Sequence, residues 1–161
     1  MKRIVLTLAA LLTLNAATAL AAPINDLGRG QTALGVGTGA VYLEHKLTDS
    51  FTLGFENVDH GASMDDVYGQ FQLAENFRGI VGSRDLAGGS KLYVGAAVHG
   101  PLSPEWDGYA SLIGGSNFNE VQVGANLRLA SNLDLNVDYH SFSPDYGRSK
   151  SGVGVGATVR F

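Results

Sequence analysis

The sequence predicts an all-β protein, an antiparallel up-and-down transmembrane β-barrel of ten strands. Three observations predict it. The first 21 residues have the make-up of an export leader, so the remainder acts outside the cytoplasm. From residue 31 onward, segment after segment alternates apolar with polar residues at every second position, the period at which side chains switch faces in a strand. The last ten residues, Gly152 to Phe161, keep that alternation to the end. They leave an aromatic side chain at the end of an apolar row, where a water-soluble domain gains little from it. Downstream of the leader no apolar run is long enough for a membrane helix. Any crossing must therefore use strands, and unpaired backbone in lipid forces those strands to close.

Met1-Lys2-Arg3 is basic, Ile4 to Leu20 is mostly apolar, and Ala19-Leu20-Ala21 supplies a small-x-small cleavage pattern. Cleavage is expected after Ala21, because cutting after Ala22 would put Pro23 beside the scissile bond. Asn15 and Thr18 make the stretch a poor membrane span. Residues 1–21 thus read as a signal peptide, 22–30 as a loose periplasmic leader and 31–161 as the barrel, leaving a mature chain of about 140 residues.

The whole chain carries a net charge of −4, and losing Lys2 and Arg3 makes it more acidic. Nucleic acid, whose phosphates require a basic patch, is excluded as a partner. There is no cysteine, hence no disulfide, thiolate metal site or cysteine nucleophile. All 22 glycines lie after residue 21, many within strand-like stretches, where glycine marks a bend or a lack of space.

In chain order, Gln31 to Gly37 shows Leu34 and Val36 on one face, and Thr38-Gly39 fits a tight turn. Ala40 to Leu47 sets Val41, Leu43 and Leu47 against Tyr42, Glu44 and Lys46, with His45 interrupting the apolar row. Phe51, Leu53 and Phe55 face away from Thr52, Gly54 and Glu56, and Asp59 to Met64 reads as a polar loop. Asp65 to Leu73 follows, then Phe77 to Ser83, where Arg78 and Ile80 share a face, then a Gly-rich loop over 84–90. Lys91 to Val98 alternates again. Pro101 to Asp107, with two prolines and Trp106, cannot be a central strand. Gly108 to Gly114 reads as a strand and Gly115 to Phe118 as a loop. Asn119 to Leu129, Asn132 to His140 and the terminal segment alternate most cleanly, with a long loop expected over 141–151. Short turns recur at near-equal spacing near Asp49, Glu75, Ser103 and Ser131. Two strands and one outer loop per interval give ten strands with both termini on the periplasmic side. An eight-stranded barrel, with 31–47 fused and 99–118 as one loop, also fits the length.

The terminal row of Val153, Val155, Ala157, Val159 and Phe161 resembles the C-terminal assembly signal of bacterial outer-membrane proteins, and the overall pattern resembles small OmpA-like, OmpX-like and YfaZ-like barrels. The resemblance implies insertion into the outer-membrane lipid bilayer of a diderm bacterium by the barrel-assembly machinery. Phe51, Phe77 and Phe161 would then form part of the periplasmic aromatic girdle, with Tyr139 near the opposite interface.

With the apolar rows facing lipid, Glu44, Lys46, Glu56, Asp66, Arg78, Lys91, Glu120, Arg128, Asp134, Asp138, His140 and Arg160 point inward, and their mixed signs allow a closed, ion-paired lumen. This gives a structural or surface-interaction role, with the surface ligand left open. A narrow channel is the first alternative. A hydrolase is the second, with Asp138 and His140 as an oriented base and Ser141 or Ser143 as nucleophile. Outer-membrane lipid A deacylases resemble the chain in size, but their His-x-Ser pairing would need serine where Phe142 stands. A soluble lipocalin-like binder, with the faces reversed, is the third alternative. His60 with Asp59, Asp65 and Asp66 reads as solvated loop chemistry rather than a metal site. Gly152-Val153-Gly154 precedes no helix and is no phosphate loop, so no cofactor is expected.

Overall fold

The computed structural model describes residues 22–59, 63–86 and 89–161, so the signal-peptide reading and His60 lie outside the described residues. Ten strands close into one barrel: β1 (Thr32–Gly37), β2 (Ala40–Thr48), β3 (Phe51–Asp59), β4 (Ser63–Ala74), β5 (Phe77–Leu86), β6 (Gly89–Pro101), β7 (Trp106–Gly115), β8 (Phe118–Ala130), β9 (Leu133–Pro144) and β10 (Lys150–Arg160). Each pairs antiparallel with its sequence neighbours, and β1 closes on β10. The ten-strand reading holds and the eight-strand alternative does not.

The seam is built from both chain ends. Ala33 lies opposite Arg160 and Gly37 opposite Gly156, while the Phe161 N–H donates to the Thr32 carbonyl at 2.9 Å and the Thr32 N–H returns to the Phe161 carbonyl at 2.8 Å. At the other end of β1, Gly39, the second residue of the Thr38-Gly39 turn, takes the left-handed conformation (φ 69°) that favours glycine. Near the turns after β2, β4 and β8 the register shifts by one residue, between Lys46 and Thr48, Gln72 and Ala74, and Arg128 and Ala130. These bulges sharpen the twist as the chain reverses.

Polarity is inverted relative to a water-soluble barrel. Leu34, Leu43, Phe55, Val81, Val123 and Val153 are exposed on the outside, whereas Glu44, Asp66, Arg84, Asn136 and His140 are buried within. The lipocalin-like reading, which buries the apolar rows, is overturned by this arrangement. Phe51, Phe71, Phe77, Trp106 and Phe161 lie on the outer face toward the end that holds the termini, with the Phe51 and Phe71 rings 4.8 Å apart. Trp106 opens β7 instead of sitting in a loop.

At the far rim four expected loops are shorter than the sequence suggested. Strand structure runs into the expected loops at 59, 63–64, 84–86, 118 and 141–144. The physical reason is a second inversion of polarity at the far rim. There the outward residues are polar (Asn57, Asp65, Asp85, Asn119, Ser141) and the inward ones apolar (Val58, Met64, Leu86, Phe118, Phe142). The outward Asn57 amide donates to Asp65 at 2.6 Å. The strands thus outlast the apolar band and continue like those of a soluble barrel, a pattern that a search for apolar-out alternation takes for loop.

Candidate functional site: a plugged, polar lumen

The lumen is filled from the sheet inward, beginning with glycine. On β1, β3, β5 and β8 the inward glycines 35, 54, 82 and 124 lie directly across from Tyr42, Tyr68, Tyr93 and Tyr109 on adjacent strands. A Cβ added to these glycines would meet the facing ring at 2.1, 2.3, 2.3 and 2.5 Å. Each tyrosine lies flat over the space that a missing side chain leaves, which lets four large rings fit inside a narrow barrel and aims their hydroxyls at its centre.

A second filling element is the segment before β1. Read from sequence as loose, it enters the barrel from the end that holds the termini, and Pro23, Ile24, Asn25 and Leu27 are buried there. Asn25 anchors it. Its amide donates to Glu44 at 2.7 Å, and its carbonyl accepts from the Arg78 guanidinium at 2.8 Å. Glu44 also accepts from Tyr68 at 3.0 Å and Gln70 at 2.7 Å, and Gln70 accepts in turn from Arg78 at 2.9 Å. On the opposite wall, Asn126 donates to the Ile24 carbonyl at 3.2 Å, Asn136 to Asn126 at 2.9 Å, and Thr158 to Asn136 at 2.6 Å, while Tyr42 bonds Thr158. The leader is thereby tied to β2, β5 and β8. Buried amides and charges persist only when partnered, so this connected set supports the closed state.

Above the leader sits an ion-paired centre. Arg84 contacts Asp66 with two nitrogens, at 2.9 and 2.7 Å, and Glu120 at 2.5 Å, while Tyr93 donates to the other Asp66 oxygen at 2.8 Å. The guanidinium also lies 5.6 Å from the Tyr93 ring centre and 5.2 Å from that of Phe118. Phe118 packs on Phe142 at 5.5 Å and closes the far end of the charged layer with an apolar lid. Between leader and lid remains a space of about 40 Å³, lined by Ala22, Glu56, Asp66, Arg84 and Glu120 among others.

The remaining inward residues occupy graded positions. Lys46 and Glu56 are buried, and Lys91 is half-buried at the far rim. Asp134 pairs with Arg160 at 3.1 Å near the terminal end. Arg128 is a correction: it shares the inward parity but is exposed beyond the lumen, pairing with Asp107 at 3.2 Å. Asp138 and His140 are buried with the His140 Nδ1 3.6 Å from an Asp138 carboxylate oxygen, and Gln122 donates to Asp138 at 3.3 Å. Ser141 and Ser143 sit on the outward face of the same strand, so the proposed base and either serine nucleophile are on opposite sides of the wall. The candidate metal set divides in the same way, since Asp65 faces outward and Asp66 inward. Val153, Val155, Ala157 and Val159 form one outward row on β10, and Phe161 follows it directly.

Reading by alternation missed several residues that hold the lumen together. Arg84 lay in an expected loop, Ile24 and Asn25 in the leader, and Gln70, Asn126, Asn136 and Thr158 are uncharged. The signal that could have found part of this site is the recurrence of glycine and tyrosine on inward rows of neighbouring strands.

No protein-family model matches the chain, and neither does any curated protein sequence. Among solved structures it is similar to a de novo designed transmembrane β-barrel (17% identity, 85% of this chain and 100% of the other, TM-score 0.46). It is also similar to the N-terminal β-barrel domain of Pseudomonas aeruginosa OprF (11% identity, 84% and 100%, TM-score 0.43) and to the NanC porin (7% identity, 80% and 98%, TM-score 0.49). These identities are too low to carry any activity across.

Proposed function

We propose that this chain is an integral outer-membrane β-barrel that is closed rather than conducting, with its own leader as the plug and a structural or surface-interaction role. The observation that carries this reading is the leader itself. Residues 23–27 fill the lumen from the terminal end and are hydrogen-bonded to opposite walls, leaving about 40 Å³ of free space between the plug and the apolar lid. A passage for solutes needs a continuous wet path, and a space of that size holds a water molecule or two. The apolar outer band and its aromatic row support placement in a bilayer, and the terminal row ending in Phe161 supports recognition by the barrel-assembly machinery. Among the described residues, the outer loop over 145–149, with Tyr146 almost fully exposed, offers a surface to a partner beyond the bilayer.

Planar-bilayer recording tests the closed state against the channel alternative. The intact barrel is expected to give no unitary conductance, and a chain lacking residues 22–27 is expected to give discrete openings. Stable conductance steps from the intact protein would refute the plug and favour a narrow channel.

A further inference from the structure

The space above the leader is lined by three carboxylates, Glu56, Asp66 and Glu120, but by one guanidinium, Arg84. Arg84 is engaged by Asp66 and Glu120. Glu56 is 3% exposed, one of its oxygens has no hydrogen-bond partner, and it is bonded by the backbone N–H of Ala22, the first described residue of the leader, which lines the same space. The Arg84 charge also acts on Glu56 through space, but it is shared among three carboxylates and bonded to the other two, which leaves Glu56 a poorly compensated buried charge.

We propose that removal of residues 1–21 supplies the missing cation: the α-ammonium of Ala22 becomes the ion-pair partner of Glu56. The inference rests on the expected cleavage after Ala21. The peptide N–H of Ala22 has a single hydrogen to give. Once that peptide bond is hydrolysed, the same nitrogen carries three N–H donors and a positive charge, so one can keep the present contact and a second can serve the unpartnered oxygen. The carboxylates around the space then face two cations instead of one. Position is specific, because starting the chain one residue earlier moves the charge by about 3.8 Å, more than a hydrogen-bond length. Processing and plugging are thereby coupled: a further cation that holds the leader in the lumen, beside the Asn25 and Ile24 contacts, exists only in the cleaved chain.

Amine reactivity tests this on the unaltered protein. The barrel is purified from membranes, its intact mass is measured, and it is treated near neutral pH with an acylating reagent. Under these conditions an ordinary α-amine is far less protonated than lysine and reacts first. A mass corresponding to Ala22 as first residue is expected, with α-amine labelling more than about tenfold slower in the folded barrel than in the urea-unfolded chain. The Glu56→Gln variant is expected to recover a large part of the unfolded rate while keeping its heat-modifiable gel mobility. A mass showing any other first residue would overturn the proposal at its premise. The correct mass with equal labelling rates in folded and unfolded protein would overturn the ion pair while leaving the processing step and the closed barrel standing.

Discussion

Substituting Gly54 with alanine adds one methyl group to the interior, and the structure fixes where it goes. The new Cβ would stand 2.3 Å from two carbons of the Tyr68 ring and 2.7 Å from its hydroxyl oxygen. Tyr68 cannot yield cheaply, since its hydroxyl donates to Glu44 at 3.0 Å and Glu44 holds Asn25 of the plug. Overpacking of this kind costs about 1–3 kcal/mol. Losing a hydrogen bond to a charged group adds about 1.5–3 kcal/mol, giving about 2.5–6 kcal/mol in all. Gly100→Ala is the control, because nothing approaches its added Cβ closer than 3.9 Å. Urea unfolding in lipid vesicles, read by tryptophan fluorescence and gel mobility, compares the two. A Gly54→Ala barrel within about 0.5 kcal/mol of Gly100→Ala would refute the argument that these glycines exist to seat the tyrosines.

The same assay separates the two arginine pairs. Arg84→Met leaves Asp66 and Glu120 buried without their counter-charge and is expected to destabilise by about 3–5 kcal/mol, whereas Arg128→Ala breaks an exposed pair with Asp107 and should cost no more than about 0.5 kcal/mol. Equal effects would show that burial does not govern the lumen charges. Deleting Phe161 removes both hydrogen bonds to Thr32 at the seam and the last residue of the outward row. Loss of the protein from the outer-membrane fraction is expected, and normal assembly would rule out this row as the recognition signal. His140→Ala should leave outer-membrane lipid composition unchanged, as judged by mass spectrometry, since the ring faces a closed lumen. A change in lipid acylation would revive the hydrolase reading.

The sequence by itself determined the sides of the wall and their number. Alternation is a property of consecutive residues, so Val121, Val123 and Leu129 could be separated from Glu120, Gln122 and Arg128 without knowing what any of them touches. Near-equal spacing of the short turns then counted ten strands. Where polarity inverts again at the far rim, the same local rule misread Phe118 and Phe142 as loop, because it assumes that apolar residues always face outward. What fills the lumen was decided by tertiary structure alone. That Gly54 faces Tyr68, that Arg84 lies between Asp66 and Glu120, and that Asn25 reaches Glu44 depend on the register between strands and on the path of a segment without secondary structure. Those contacts are set by strand register, by side chains meeting across the lumen and by the path of the leader, and no periodicity along the chain encodes them.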